Sequence, residues 1–177
     1  MKRAMGFVIG LAFICFGIYQ ILYPYTIKPY LENKEAMKQS ESILIGDVAS
    51  DNKGVDFCVT KVENLKSVGS GIAKVTTDNN FVIVTIKIVN NSSDPYDVNA
   101  LHFSLVEGDK EYEHTNDVIL SYDNAMFIDT INPGLSNEYR IVYETPTTTE
   151  EGEYKLKIVN NVFVEKHYVY ITLKEVS

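Results

Sequence analysis

With 177 residues the chain has room for one ordinary domain and an appendage, and its 45% hydrophobic content belongs to a protein that can bury a core. Its formal charge is −8, and removing Lys2 and Arg3 leaves 14 basic against 24 acidic side chains, near −10 for everything beyond the N-terminus. That balance argues against nucleic acid and anionic lipid surfaces as partners, because both require clustered Lys and Arg.

The apolar residues are unevenly spread. Residues 5–23, MGFVIGLAFICFGIYQILY, carry no charge and one strongly polar side chain, Gln20. As a helix this run would be about 28 Å long, close to the hydrocarbon thickness of a bilayer. A cleavable signal has a shorter apolar region ending at a small-x-small site, whereas here Tyr23-Pro24-Tyr25 follows. Lipid attachment at Cys15 fits poorly because the bulky Ile14 precedes it. The run is expected to be an uncleaved transmembrane anchor, with residues 1–4 held inside by Lys2 and Arg3 and the remainder outside the cytoplasmic membrane. Tyr19 and Tyr23 suit the interface, while Gly6, Gly10 and Gly17 permit close helix approach, the first two as a G-x-x-x-G.

Residues 24–42 form a charged juxtamembrane stalk, either helical or loose, with Pro29 suited to a first helical turn. From Ile43 the pattern changes to short runs rich in Val, Ile, Thr, Tyr and Phe between Asn, Asp, Gly and Pro. Strands are expected at 55–63, 81–91, 100–107, 110–114, 137–144, 151–159 and 166–174. In the second of these, Val82, Val84, Ile86 and Ile88 share one face and Thr85 and Lys87 the other. In the last two, Tyr154, Leu156 and Ile158 alternate with lysines, and Tyr168, Tyr170 and Thr172 alternate with Val169, Ile171 and Leu173. No ten-residue helical pattern separates these runs, so residues 43–177 are expected to form an antiparallel β-sandwich. The stretches 67–73 and 121–126 are expected to be mobile loops.

Several motifs invite chemistry. Gly134-Leu135-Ser136-Asn137-Glu138 approaches the G-x-S-x-G nucleophile elbow, but Glu138 replaces the last glycine and a strand pattern follows where a helix is required. His102, His114 and His167 lack zinc spacing. No catalytic residue, cofactor or enzymatic activity is expected. Asp47, Asp51 and Asp56 are calcium candidates, yet the order of an EF-hand loop is not met, since Lys53 precedes Gly54. Cys58 sits between apolar neighbours and is expected to be a small buried hydrophobe. Tyr96, Tyr122, Tyr168 and Tyr170 are candidates for a contact surface, a role tyrosine favours, although strand packing also uses it.

The order ILIGDVASDNKGVDFCVTKVENL, FVIVTIKIVNNSSDPYDVNALHFSLVEGDKEYE and TINPGLSNEYRIVYETP resembles the telokin-like, immunoglobulin-fold family of bacterial surface proteins of unknown function. The matching features are Gly46-Asp47, Val59-Thr60-Lys61-Val62-Glu63, the strand closing in Asn90-Asn91-Ser92, Glu107-Gly108 ahead of Tyr112, and Pro133-Gly134 leading through Tyr143 to Pro146. The resemblance covers residues 43–174 and implies an all-β, immunoglobulin-like sandwich behind an anchor. It transfers no catalytic residue. The expectation is a membrane-anchored extracytoplasmic module that contacts another protein, within a secretion, immunity or envelope complex. The alternative is a calcium- or ligand-binding surface sensor, with a cell-surface enzyme ranked behind both.

Overall fold

The computed structural model describes residues 15–39, 43–51, 53–115, 129–147, 153–162 and 165–174. Residues 15–22 are helical and exposed throughout. They lead through a π-helical turn, Tyr23–Ile27, into helix α1, Lys28–Gln39. The wide turn has a local cause. Pro29 has no N–H for the carbonyl four residues back, and its ring crowds that carbonyl, so the chain opens by one residue and Lys28 donates its N–H to the Tyr23 carbonyl. The stalk is therefore helical over α1, and its proline lies near the start of a segment that continues a helix already under way. Among the described residues no helix is long and apolar enough to cross a membrane. Residues 5–14, the larger part of the expected span, lie outside them.

Among the described residues ten strands follow: β1 (Ala49–Ser50), β2 (Val55–Val68), β3 (Val75–Asn90), β4 (Tyr96–Asp97), β5 (Leu101–Glu107), β6 (Lys110–Glu113), β7 (Thr130–Ile131), β8 (Ser136–Thr145), β9 (Tyr154–Val162) and β10 (Glu165–Thr172). One sheet has the order β1-β2-β3-β8, a second β10-β9-β5-β6, and β4 pairs with β7 alone. All pairings are antiparallel. Each of the seven runs expected from alternation carries a strand. The two-residue β1, β4 and β7 are too short to show a period.

The core lies between the two sheets and follows the alternation. Val82 is registered with Tyr143, Val84 with Ile141 and Ile86 with Tyr139, and all six are buried. Opposite them, Phe103 pairs with Ile158 and Leu105 with Leu156, while Val169 and Ile171 of β10 complete the layer. A fully buried side chain of this size stabilises by about 1.5–3 kcal/mol. Both seams are tied by backbone bonds. His114 bridges to Tyr143 and Thr115 N–H donates to the Val142 carbonyl on one side, while Thr172 N–H donates to the Ile43 carbonyl at 2.9 Å on the other.

β2 and β3 are much longer than the sequence pattern implies. β8 pairs with β3 only from Asn80 onward, and beyond it the β2–β3 register breaks between Leu65 and Ser67. The far parts form a two-stranded arm packed on the outer face of the sheet, Val68 buried with Phe81, Ile83 and Val142 and Val75 against them, with a 3₁₀ turn, Gly71–Ala73, as its tip. Residues 67–73, expected as a mobile loop, are instead the end of β2, with Val68 buried, and this tip. The arm was not legible because Thr76-Thr77-Asp78-Asn79-Asn80 shows no apolar alternation. Its base is pinned: Lys66 Nζ donates to the carbonyls of Asp78 (3.2 Å) and Asn79 (2.8 Å) and to Thr147 Oγ1 (2.7 Å). Thr77 and Asn79 both donate to the Glu144 carboxylate, holding it below its usual range.

At the opposite end β3 closes on Asn90, which is fully buried. Its Nδ2 donates to the carbonyls of Asp94 and Ile131, both at 2.8 Å, and its Oδ1 accepts from Ser92 N–H and Oγ. Its backbone donates to Leu135 O and accepts from Gly134 N–H. Pro133-Gly134 forms the turn into β8, closed by Leu135 N–H on Asn132 O, and Gly134 at φ 75° occupies the left-handed position that glycine fills without strain. The near-elbow is thus a turn feeding a strand. Asn90→Ala strands several buried partners at once, and it is expected to lower unfolding free energy by about 2–4 kcal/mol in urea titration with an unchanged m-value.

Candidate functional site

The outer face of the β10-β9-β5-β6 sheet gathers the polar side chains of the fold. Register places Tyr170, Lys157 and Ser104 in one row, with Thr172, Lys155 and Val106 above and Tyr168, Val159 and His102 below. From β6 the alternation sends Glu111 and Glu113 to the same face. Lys157 Nζ donates to both Glu111 oxygens, at 2.7 and 2.9 Å, and the fully buried Ser104 donates its hydroxyl to Oε1. Burial alone would raise the Glu111 carboxyl, but these bonds, with the Lys157 and His102 charges, hold it below the usual range. His102 Nε2 lies 3.3 Å from Glu113.

Helix α1 covers the β10 side of this face. Its half-buried positions, Lys28, Pro29, Glu32, Asn33 and Ala36, recur at helical spacing and form one stripe. The contact is polar: the Tyr170 hydroxyl donates to Asn33 Oδ1 at 2.6 Å. Tyr170 is only 4% exposed. Burial and the nearby Glu111 push its hydroxyl up to about 12. Burial, then Glu32, likewise raise Tyr168. The tyrosines expected to meet another protein meet the stalk of their own chain.

The remaining candidates are dispersed. Tyr96 is a core residue rather than a contact one: it is buried, accepts a 2.9 Å bond from Asn160 Nδ2, and has its hydroxyl pushed up by burial and by Asp51. Tyr122 lies outside the described residues, as do Gly6 and Gly10. Gly17 is helical and open, with nothing near a Cβ placed there, and the Tyr19 and Tyr23 rings stack at 5.2 Å. The three calcium candidates serve separate turns. Asp47 accepts from Leu44 N–H, Asp51 caps the β1–β2 turn through Lys53 and Val55 N–H, and Asp56 is held by Ser50 and Asn91. Among the described residues no three His, Cys, Asp or Glu side chains group as a metal site. Ser136 opens β8 in one sheet, whereas His102 and His167 belong to the other. Cys58 is half-buried and its thiol is raised by burial and by Asp47, the state of an inert cysteine.

Asn33, Glu111 and Ser104 escaped the sequence reading. Glu111 and Glu113 do alternate, as do Lys155 and Lys157, but β6 and β9 meet only through β5, a pairing no local pattern reveals.

The match with known proteins is one of fold. Residues 43–168 match the family model described as "Domain of unknown function (DUF4352)". A conserved hypothetical protein from Bacillus anthracis superposes with a TM-score of 0.57 at 20% identity, over 72% of this chain and 94% of that one. The yjhA protein from Bacillus subtilis does so with 0.55 at 17%, over 75% and 99%. A Bacillus subtilis protein described as "a putative lipoprotein (ycdA)" gives 0.53 at 20%, over 72% of this chain and 39% of that one. No curated protein matches.

The lowered Glu111 carboxyl contributes stability that is complete above its unfolded value of 4.5 and is lost as pH falls through the lower folded value. Thermal melts of the wild type should fall as pH drops below 4.5, and Glu111→Gln should show a shallower fall over the same range. The acid-side loss that persists in the variant belongs in part to Asp129 and Glu144, both lowered by hydrogen bonds.

Proposed function

This chain belongs to that family of unknown function, and from this premise we propose that it is a membrane-anchored module whose sandwich stands outside the cytoplasmic membrane and acts through protein contacts in a secretion, immunity or envelope complex. The carrying observation is the helix over residues 15–22. Every residue in it is exposed, Phe16, Ile18, Ile21 and Leu22 among them, and in sequence it continues the uncharged run that begins at residue 5. A helix with one strongly polar side chain, Gln20, and no buried position among the described residues presents the kind of surface a bilayer covers. The description of the Bacillus subtilis neighbour as "a putative lipoprotein" supports a surface location. The sandwich is read as an immunoglobulin-like, telokin-like variant, in keeping with its two antiparallel layers.

The module is read as a binder without a chemical step. Its partner-facing surface lies away from Tyr168 and Tyr170, which α1 occupies, and the pinned β2–β3 arm with the fully exposed Ile72 at its tip is the strongest candidate.

Membrane fractionation of cells expressing the full chain tests the location. Expected are resistance to alkaline carbonate extraction, an intact N-terminus and digestion of the sandwich by protease added to spheroplasts. A mature protein beginning after residue 23, or a sandwich protected inside the cell, overturns the reading.

A further inference from the structure

The two ends of the sandwich are chemically and topologically distinct, and the docked helix relates them to its own N-terminus. At one end lie the start of β2 and the finish of β3 (Val55 opposite Asn90), the start of β8 and its Pro133-Gly134 turn, the start of β5 (Leu101 opposite Asn160), and the finish of β9 and start of β10 (Val162 opposite Glu165). Asn160 Nδ2 reaches both Tyr96 and Asp51 there, tying the two sheets. At the other end lie Thr145, Tyr154, Thr172 and the β5–β6 turn at Gly108-Asp109.

Helix α1 meets β10 at Asn33 against Tyr170, and the chain reaches Ile43 against Thr172. It therefore advances along β10 from the first end toward the second. Residues 15–22, upstream of α1, leave past the first end, and the described helix is unbroken from residue 15 to residue 39 apart from the π turn. A continuous helix docked along a strand is a strut, not a tether.

We propose that α1 fixes the sandwich upright on the bilayer, with the Pro133-Gly134 and Asn160 end facing the lipid surface and the Thr145, Tyr154 and Asp109 end pointing away from it. This rests on the anchor reading. β9 runs between the two ends over nine residues, about 26 Å at roughly 3.3 Å per residue, so the ends differ in height above the membrane.

The chain contains no tryptophan, so a single introduced one is a clean donor. Leu135→Trp and Asp109→Trp, both at exposed sites, are reconstituted as full chains in phosphatidylcholine vesicles carrying dansyl-labelled lipid. Energy transfer to the dansyl headgroup should be several-fold stronger from position 135 than from 109. A flexible Gly/Ser insertion of about fifteen residues after Leu22 should erase most of that difference. Equal transfer from the two positions, or stronger transfer from 109, in vesicle-bound protein overturns the orientation while leaving the anchor intact. A difference that survives the insertion overturns the helix as its cause. Protein that floats free of the vesicles removes the anchor reading, and the orientation with it. Melting curves matching the wild type establish that each variant is folded.

Discussion

Asn90 is where the sandwich is assembled. A buried amide of this kind is tolerated only when its donors and acceptors are matched, and here the matching is complete: two carbonyls, one N–H and one hydroxyl are met by the side chain. Those partners belong to the loop after β3 and to β7, while the backbone of the same residue holds the turn into β8. One residue thus sets where β3 stops, where β7 lies and where β8 begins. The β3–β8 register, with Val82, Val84 and Ile86 facing Tyr143, Ile141 and Tyr139, follows from that alignment.

A neighbouring network extends the same logic. The Asp129 carboxylate accepts from the Tyr139 hydroxyl and from Asn137 Nδ2 at 2.7 Å, while its carbonyl takes Val98 N–H. Asn160 then joins this end to the second sheet. The fold is consequently tied by amides and carboxylates at this end, while at the other Lys66 and the Glu144 carboxylate hold the base of the β2–β3 arm.

Helix α1 changes the meaning of the second sheet. Without it, Tyr168 and Tyr170 would be a tyrosine-rich patch on a polar sheet face, the kind of surface that serves protein contact. With it, Tyr170 is buried and bonded to Asn33, and β10, an edge strand, gains cover. The contact centres on a polar pair, Asn33 and the Tyr170 hydroxyl, rather than on an apolar stripe. That explains how a segment with little hydrophobic character, Lys28–Gln39, can still dock.

The alternation of apolar and polar residues was enough to locate seven strands and, in 81–91, to separate the face of Val82, Val84, Ile86 and Ile88 from that of Thr85 and Lys87, because a strand with one side in a core has a period of two whatever its neighbours are. Turn chemistry was legible for the same local reason: Pro133-Gly134 suits a reversal, and the strand pattern after it stands where a nucleophile elbow at Ser136 would need a helix. The uncharged run from residue 5 was equally plain, being a matter of composition. Tertiary structure alone decided what depends on contacts between distant residues. It alone showed that the amides of Asn90 and Asn160 are buried hubs, that Tyr96 is core and that Asp47, Asp51 and Asp56 serve separate turns. It joined Glu111 to Lys157 across β5 and extended β2 and β3 into an arm whose polar strands carry no period. It also laid a charged stalk along β10, since nothing in the stalk's own pattern says that Asn33 will find Tyr170.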